Sequence, residues 1–177
     1  VTTERSGRLR GRQGRPGNVA PGSTNSAGGS AGWTGSGGPA VANCYATEPT
    51  GVGNTTKPGS RWSLVPTVAH LGGNAIACPS ISVCYVVGNA GYFWYTKNSG
   101  ATWTQQASGL TTANLLAVAC ASLTNCVATG TNGTIAYTAN ASTWAITTSF
   151  NSTNTIPSVS CPAGSTACFA VSGVFLG

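Results

Sequence analysis

Acidic side chains are almost missing from this sequence: Asp and Glu together number two in 177 residues. They are Glu4 and Glu48, and His70 is the single histidine. General acid–base catalysis, carboxylate metal sites and phosphoryl transfer all draw on such groups. We therefore predict that the chain is not an enzyme and has no catalytic residue, no metal site and no cofactor.

Long apolar runs are also missing. The longest lies around residues 115–121, which is too short to cross a bilayer, so we expect no membrane span. Nothing at the start resembles a signal peptide. The chain begins with Val1 and contains no Met, and we interpret it as a processed or incomplete form of a longer precursor.

The few charges are concentrated at the start of the chain, within a Gly/Ser/Arg-rich segment, residues 1–39, whose composition predicts a flexible arm. Against Glu4 stand five arginines: Arg5, Arg8, Arg10, Arg12 and Arg15. The arginines predict that the arm binds an anionic ligand. As this ligand, an anionic cell-surface polymer or an acidic groove on a sister subunit is favoured over nucleic acid. The remaining chain is nearly uncharged, which is typical of a secreted protein or of a subunit in an assembly.

From Ala40 onward, short β-branched and aromatic runs alternate with clusters of Gly, Asn, Ser and Thr. These runs predict short strands separated by turns, and no helical period is present. We therefore predict an all-β domain over residues 40–177.

An internal repeat organises this domain. Its markers recur every 40 to 42 residues: Cys44, Cys84, Cys126 and Cys168; Cys78, Cys120 and Cys161; and Trp62, Trp103 and Trp144. We divide it into a partial unit 40–71 that begins at its second strand, units 72–112 and 113–154, and a partial unit 155–177 that stops in its third strand. Four antiparallel strands per unit of this length are typical of a β-propeller blade, here in an incomplete ring.

The segment from Thr96 to Trp103, TKNSGATW, resembles the Asp-box S-x-D-x-G-x-T-W of BNR repeats. The key positions in the three units are Thr55, Gly59 and Trp62; Thr96, Asn98, Gly100 and Trp103; and Asn140 and Trp144. The resemblance implies a propeller similar to sialidase-like proteins, photosystem II assembly factors and secreted bacterial repeat proteins with a Cys pair in each blade. It also implies a turn between the third and fourth strands, stabilised by Asn and Gly. Asn98 replaces the Asp of the box, and the third loop is one residue shorter.

Six cysteines form close pairs in sequence: Cys78 with Cys84, Cys120 with Cys126, and Cys161 with Cys168. In each pair the first Cys ends one strand and the second begins the next, so we predict three local disulfides of about 2–2.5 kcal/mol each. Zinc binding is less favoured, because zinc pairs are usually more closely spaced. Disulfides place the protein in an extracellular or periplasmic compartment. Cys44 is left free and buried, or pairs with another chain.

The aromatic run from Tyr92 to Tyr95 is the main candidate binding site. Alternation puts Tyr92 and Trp94 on one face and Phe93 and Tyr95 on the other. Either it is a stacking platform for a sugar or a partner, or both faces belong to the core between blades, and the core is favoured. The recurring tryptophans are interpreted as core residues, and His70 as a solvated loop residue. Four sequons are candidate glycosylation sites: Asn54, Asn132, Asn140 and Asn151.

Two functions compete on this evidence. The favoured one is a non-catalytic structural or assembly subunit of an extracellular or periplasmic complex or filament, whose partners are copies of itself or sister subunits. The alternative is a propeller module that binds carbohydrate or protein, including a polysaccharide. A degenerate relative of glycoside hydrolases comes third, because sialidase chemistry needs an Arg cluster and acidic residues that the repeat domain lacks.

Overall fold

The computed structural model describes residues 34–37, 44–48, 51–55, 63–64, 73–107, 109–148 and 153–172. Within these ranges the chain forms fourteen strands and no α-helix, and the one helical element is a 3₁₀ turn, Asn89–Gly91. The predicted all-β fold is therefore confirmed.

The strands form three four-stranded antiparallel sheets and one two-stranded sheet, each with its strands in sequence order. Sheet 1 contains β1 (Thr34–Gly37), β2 (Cys44–Glu48), β3 (Gly51–Thr55) and β4 (Ser63–Leu64). Sheet 2 contains β5 (Gly73–Ala77), β6 (Cys84–Gly88), β7 (Phe93–Thr96) and β8 (Thr104–Gln106). Sheet 3 contains β9 (Leu115–Cys120), β10 (Cys126–Gly130), β11 (Thr134–Thr138) and β12 (Ala145–Thr148). Sheet 4 contains β13 (Ser158–Ser160) and β14 (Phe169–Val171).

Strand β1 corrects the expectation that the first unit begins at its second strand. Its residues, TGSG, fall in the range assigned to the arm, yet they pair with β2 and complete a four-stranded sheet. Gly and Ser have low strand propensity, so the segment has no strand signal of its own. Pairing with a stronger strand overrides that weak preference. The expected third strand of the last unit falls after residue 172, outside the described residues.

The sheets stack as successive blades, numbered 1 to 4 with their sheets. Strand β1 contacts β5, β5 contacts β9, and β9 contacts β13, so the first strand of each blade lies beside the first strand of the next. Four-stranded sheets arranged in this way are the architecture of a β-propeller. The structure therefore has propeller-like blades, as the repeat predicted.

The hydrophobic core is divided into layers between blades. Among the described residues, the layer between blades 2 and 3 is the largest, and includes Tyr85, Val87, Phe93, Leu115 and Trp144. The layer between blades 1 and 2 contains Val52, Ile76, Cys84 and Val86. The layer between blades 3 and 4 contains Ala119, Ala121, Val159 and Cys161. Because blades 2 and 3 each have one face in each of two layers, both faces of their central strands are apolar.

Candidate functional site

The loops of the blades fall at two ends of the sheets. One end, here called the disulfide end, contains the loops between first and second strands and the turns between third and fourth strands; its described segments are residues 78–83, 97–103, 121–125, 139–144 and 161–168. The other, here called the hairpin end, contains the turns between second and third strands and the linkers between blades; its described segments are residues 89–92, 107, 109–114, 131–133 and 153–157. These ends are the surfaces on which a propeller can present binding residues.

All three predicted disulfides are present at the disulfide end: Cys78–Cys84, Cys120–Cys126 and Cys161–Cys168. Their Cα atoms lie 4.1, 4.0 and 4.3 Å apart. Cys120 and Cys126 are directly opposite each other on β9 and β10, which shows that the bond closes the first hairpin of the blade. Intramolecular disulfides of this kind indicate an oxidising environment.

The Asp-box turn of blade 2 is a network of side-chain and backbone hydrogen bonds. The Thr96 hydroxyl donates to Asn98 Oδ1 at 3.0 Å and accepts from the Gly100 N–H at 3.0 Å. Asn98 Oδ1 also accepts from the Thr102 N–H at 2.9 Å, and Asn98 Nδ2 donates to Thr102 Oγ1 at 2.8 Å. Asn98 thus supplies the acceptor of the missing Asp and an additional donor, so the motif acts here as turn chemistry.

The equivalent turn of blade 3 keeps the same arrangement in a shorter loop. The Thr138 hydroxyl donates to Asn140 Oδ1 at 3.3 Å, and that oxygen accepts from the N–H groups of Ser142 and Thr143 at 3.0 and 2.8 Å. Sequence analysis found Asn140 but missed Thr138. The repeat would have located it, because Thr138 is 42 residues after Thr96.

The tryptophans of the two described turns pack against neighbouring blades. Trp144 is 5% exposed and lies 4.5 Å from the Phe93 ring of blade 2, centroid to centroid. Its Nε1 donates to Gln106 Oε1 at 3.2 Å, and Gln106 Nε2 donates to the Ala141 carbonyl oxygen at 3.0 Å. Trp103 packs against the layer between blades 1 and 2. Trp144 is therefore a core residue, as predicted, and Trp103 is a partly buried residue packed against the core.

The aromatic run is divided between two core layers and one exposed position. Trp94 packs in the layer between blades 1 and 2, while Phe93 and Tyr95 pack in the layer between blades 2 and 3. Tyr92 precedes β7 at the hairpin end and is 44% exposed. The structure thus supports the core interpretation for three of the four rings, and Tyr92 is the one ring that stays exposed, at the hairpin end.

Tyr85 connects the core of blade 2 to the disulfide end of blade 3. Its hydroxyl donates to the Leu123 carbonyl oxygen at 2.9 Å, and its ring lies 5.2 Å from that of Tyr95. Burial, together with the neighbouring Tyr95, raises the pKa of Tyr85 to about 12 from the usual 10.0. The phenol therefore stays protonated and remains a donor across the ordinary pH range.

Linkers at the hairpin end are bound to the turns of their own blades. The Gly91 N–H donates to the Ala113 carbonyl oxygen at 2.8 Å, and the Gly133 N–H, 42 residues later, donates to the Asn154 carbonyl oxygen at 2.6 Å. Gly91 has a φ of 70°, and a Cβ at this position would overlap the carbonyl oxygen of Thr111. This close approach requires glycine.

The other candidate residues have varied positions. Of the candidate glycosylation sites, Asn132 is exposed in a hairpin-end turn, with a φ of 56°. Asn140 accepts hydrogen bonds within the Asp-box turn of blade 3, and Asn54 is half-buried on β3. The structure describes only the backbone of Cys44 and Thr55, which pair across β2 and β3. Several predicted residues lie outside the described part: Gly59, Trp62, His70, Asn151 and the arginines Arg5, Arg8, Arg10, Arg12 and Arg15. Their roles, and glycosylation, stay predictions.

In the described part of the chain, no three His, Cys, Asp or Glu side chains come together in a group that could hold a metal ion. No described helix is long and apolar enough to cross a membrane.

Comparison with known proteins identifies the fold through solved structures. No family model matches the chain, and no curated protein matches it. The structure of YCF48 bound to a D1 peptide is similar, with a TM-score of 0.61 and 12% identity over 80% of this chain. YCF48 from Cyanidioschyzon merolae is also similar, with a TM-score of 0.56 and 16% identity over 80% of this chain. YCF48 is a photosystem II assembly factor with a β-propeller fold.

These similarities support the propeller-like fold and do not extend to a shared family. The chain spans about half the length of the solved structures it matches, 47% and 46%. The BNR resemblance therefore rests on the Asp-box turns of the sequence and their geometry.

Proposed function

We propose that the chain is a non-catalytic propeller module that binds a polypeptide partner. The observation that supports this most directly is its similarity in fold to a propeller whose structure contains a bound peptide, YCF48 with a D1 peptide. Propellers bind partners on the loops at the ends of their blades, and here those loops are fixed by disulfides and side-chain hydrogen bonds. A protein partner is thus favoured over the structural role that sequence composition suggested.

The lack of acidic residues supports the absence of catalysis in this proposal. The sequence from Gly73 to Ser172 contains no Asp or Glu, and its one charged residue is Lys97. Hydrolysis with a general acid and a general base would need groups of this kind. We also place the module in an extracellular or periplasmic compartment, because its three disulfides are stable under oxidising conditions.

Parallel screens on one oxidised preparation of the chain distinguish a protein partner from a carbohydrate partner. The immobilised chain is exposed to a phage-displayed library of random dodecapeptides and, separately, to a glycan array. We expect a peptide consensus with micromolar affinity and no saturable glycan binding. Saturable glycan binding without an enriched peptide would replace this proposal by the carbohydrate-binding one.

A second candidate function, as an assembly subunit, is supported by uncovered apolar side chains beside blade 4. Tyr95 and Tyr137 occupy the same repeat position, 42 residues apart, but Tyr95 packs against the core whereas Tyr137 is 47% exposed. On β14, Phe169 and Val171 are 66% and 61% exposed. Among the described strands, β14 pairs only with β13. A strand with such an open edge can pair with another chain.

Sedimentation velocity tests the assembly role. The wild-type chain is compared with Phe169→Ser and with a deletion of residues 1–33, which removes the arm but keeps β1. Oligomers that dissociate in both variants, with the three disulfides intact, would support an assembly held by β14 and the arm. A stable monomer, unchanged by either alteration, would leave the binding module as the function.

A further inference from the structure

Two exposed aliphatic side chains recur at the same place in neighbouring blades. Ile81 is 48% exposed in the Cys78–Cys84 loop, and Leu123 is 50% exposed in the Cys120–Cys126 loop. The two residues are 42 residues apart, which is one repeat. Both side chains are therefore presented at the disulfide end, on adjacent loops.

The two loops are stabilised in the same way. Ser80 Oγ accepts from the N–H groups of Ser82 and Val83 at 3.3 and 3.1 Å. One repeat later, Ser122 Oγ accepts from the N–H groups of Thr124 and Asn125 at 3.3 and 3.0 Å. In each loop the serine thus bonds to the backbone just beyond the exposed aliphatic residue.

Each loop is also bound from outside its own hairpin. The Ser99 N–H of the Asp-box turn donates to the Ser82 carbonyl oxygen at 3.0 Å, and the Ala141 N–H donates to the Thr124 carbonyl oxygen at 3.2 Å. The Leu123 carbonyl oxygen accepts from Tyr85 of blade 2. Each loop has a disulfide at its base and these hydrogen bonds at its tip, so it loses little conformational freedom when a partner binds. Such preorganisation favours affinity.

The disulfide end of blades 2 to 4 has charge of one sign. Lys97, exposed in the Asp-box turn, is the one charged residue between Gly73 and Ser172. The Ser99–Ser82 hydrogen bond joins its turn to the loop of Ile81. In the part of the chain that the structure describes, Lys97 has no acidic neighbour along blades 2 to 4. Charge complementarity therefore favours a carboxylate on the partner.

We propose that the disulfide end of blades 2 and 3 is a docking surface for a polypeptide segment that has aliphatic or aromatic side chains and a carboxylate. This inference rests on the proposed protein-binding function and specifies its surface and its ligand chemistry. Ile81 and Leu123 bury the partner's apolar side chains, and Lys97 pairs with its carboxylate.

The surface ends at blade 4. The six residues between Cys161 and Cys168 are PAGSTA, so this loop has no large aliphatic side chain, and Gly164 stands at its tip with a φ of 74°. Large aliphatic residues are thus present in the disulfide-closed loops of blades 2 and 3 and absent from the disulfide-closed loop of blade 4. We therefore expect one compact patch with room for a short segment.

The test uses peptides selected on the wild-type chain from the random dodecapeptide library. They are synthesised, labelled and titrated by fluorescence anisotropy against the oxidised wild type and three variants: the double substitution Ile81→Ser/Leu123→Ser, Lys97→Gln, and Tyr92→Ser. Tyr92 is the matched control, because it is an exposed apolar residue of similar accessibility at the hairpin end. Thermal melting and non-reducing peptide mapping verify that every variant keeps its fold and its disulfides.

We expect selected peptides that are rich in Leu, Ile or Phe and contain Asp or Glu. The double variant should weaken binding at least tenfold, and Lys97→Gln should weaken it about threefold and flatten its salt dependence. Tyr92→Ser should bind like the wild type.

Two other outcomes would overturn the inference in different ways. Peptides that bind the double variant normally but lose affinity for Tyr92→Ser would move the site to the hairpin end, and the protein-binding function would stand. A library that yields no binding peptide would remove the proposed function together with this surface.

Discussion

The Tyr85 hydroxyl donates a hydrogen bond to the carbonyl oxygen of Leu123, 2.9 Å away, across the boundary between blades 2 and 3. Tyr85 is 1% exposed, whereas the Leu123 side chain is 50% exposed. A buried polar group of one blade thus fixes the backbone from which the next blade presents its apolar side chain. Packing between blades and presentation of the proposed docking surface depend on the same bond.

Replacement of Tyr85 by Phe should destabilise the fold without leaving a cavity. The ring remains, but the bond to Leu123 is lost, and we expect the free energy of unfolding to fall by about 0.5–1.5 kcal/mol. Guanidinium denaturation of the oxidised chain measures the change. Tyr137→Phe is the control, because Tyr137 is 47% exposed and should show a change near zero. Equal effects of the two substitutions would contradict the role of the bond.

Stability should decrease at high pH through ionisation of Tyr85. Its pKa is raised to about 12 in the folded chain, so between pH 10 and pH 12 the unfolded chain loses this proton first. The contribution of protonated Tyr85 to the free energy of unfolding is present below pH 10 and is lost as the pH rises through 12. We expect absorbance at 295 nm to show a late component from a tyrosine that ionises near pH 12. Tyr85→Phe should remove that late component, and its persistence in the variant would assign it to another residue.

Gly91→Ala and Gly109→Ala separate the cost of a positive φ from the cost of steric overlap, at two positions with similar φ values. Gly91 and Gly109 have φ values of 70° and 77°. A Cβ at Gly91 would overlap the carbonyl oxygen of Thr111, whereas a Cβ at Gly109 would have no neighbouring atom within 4 Å. Gly109→Ala should therefore cost about 1–2 kcal/mol through its positive φ alone. Gly91→Ala should cost about 1–3 kcal/mol more through overlap. Similar midpoints of chemical denaturation for both variants would show that the backbone of the linker moves at Thr111 and relieves the overlap.

Asn98 should tolerate replacement by Asp better than by Ala. Asp keeps an oxygen that accepts from the Thr96 hydroxyl and the Thr102 N–H, and loses only the donor to Thr102 Oγ1. Ala loses all of these bonds, and we expect it to cost about 1–2 kcal/mol more than Asp does. Differential scanning calorimetry compares the two variants. An Asp variant as unstable as the Ala variant would mean that the amide donor, and not the acceptor, holds the turn.

Much of this fold could be predicted from the periodic residues. The recurring Cys and Trp residues predicted the blades, because a residue that has a structural role at one position of a blade has the same role at the equivalent position of the next blade. Period-two alternation correctly assigned Trp94 and Phe93 to opposite faces. The pairing of Cys78 with Cys84 followed from their closeness in sequence.

Other features could not be predicted, because they depend on contacts that the local sequence does not encode. Strand β1 is formed by Gly, Ser and Thr, and only its partner β2 makes it a strand. The bond from Tyr85 to Leu123 joins residues 38 positions apart in different blades. Ile81 and Leu123 were visible as a repeated pair in the sequence, but their exposure depends on the loops that hold them.

The closeness of each disulfide pair in sequence has a consequence for oxidative folding. Partners are six or seven residues apart, whereas a wrong pairing with the neighbouring blade would have to close a loop several times longer. Short loops close at a lower entropic cost and more rapidly, so the correct sulfurs meet first. Each hairpin can therefore be oxidised as soon as its own strands have reached an oxidising environment, before the next blade has folded, and the chain has little need of an isomerase to correct its bonds.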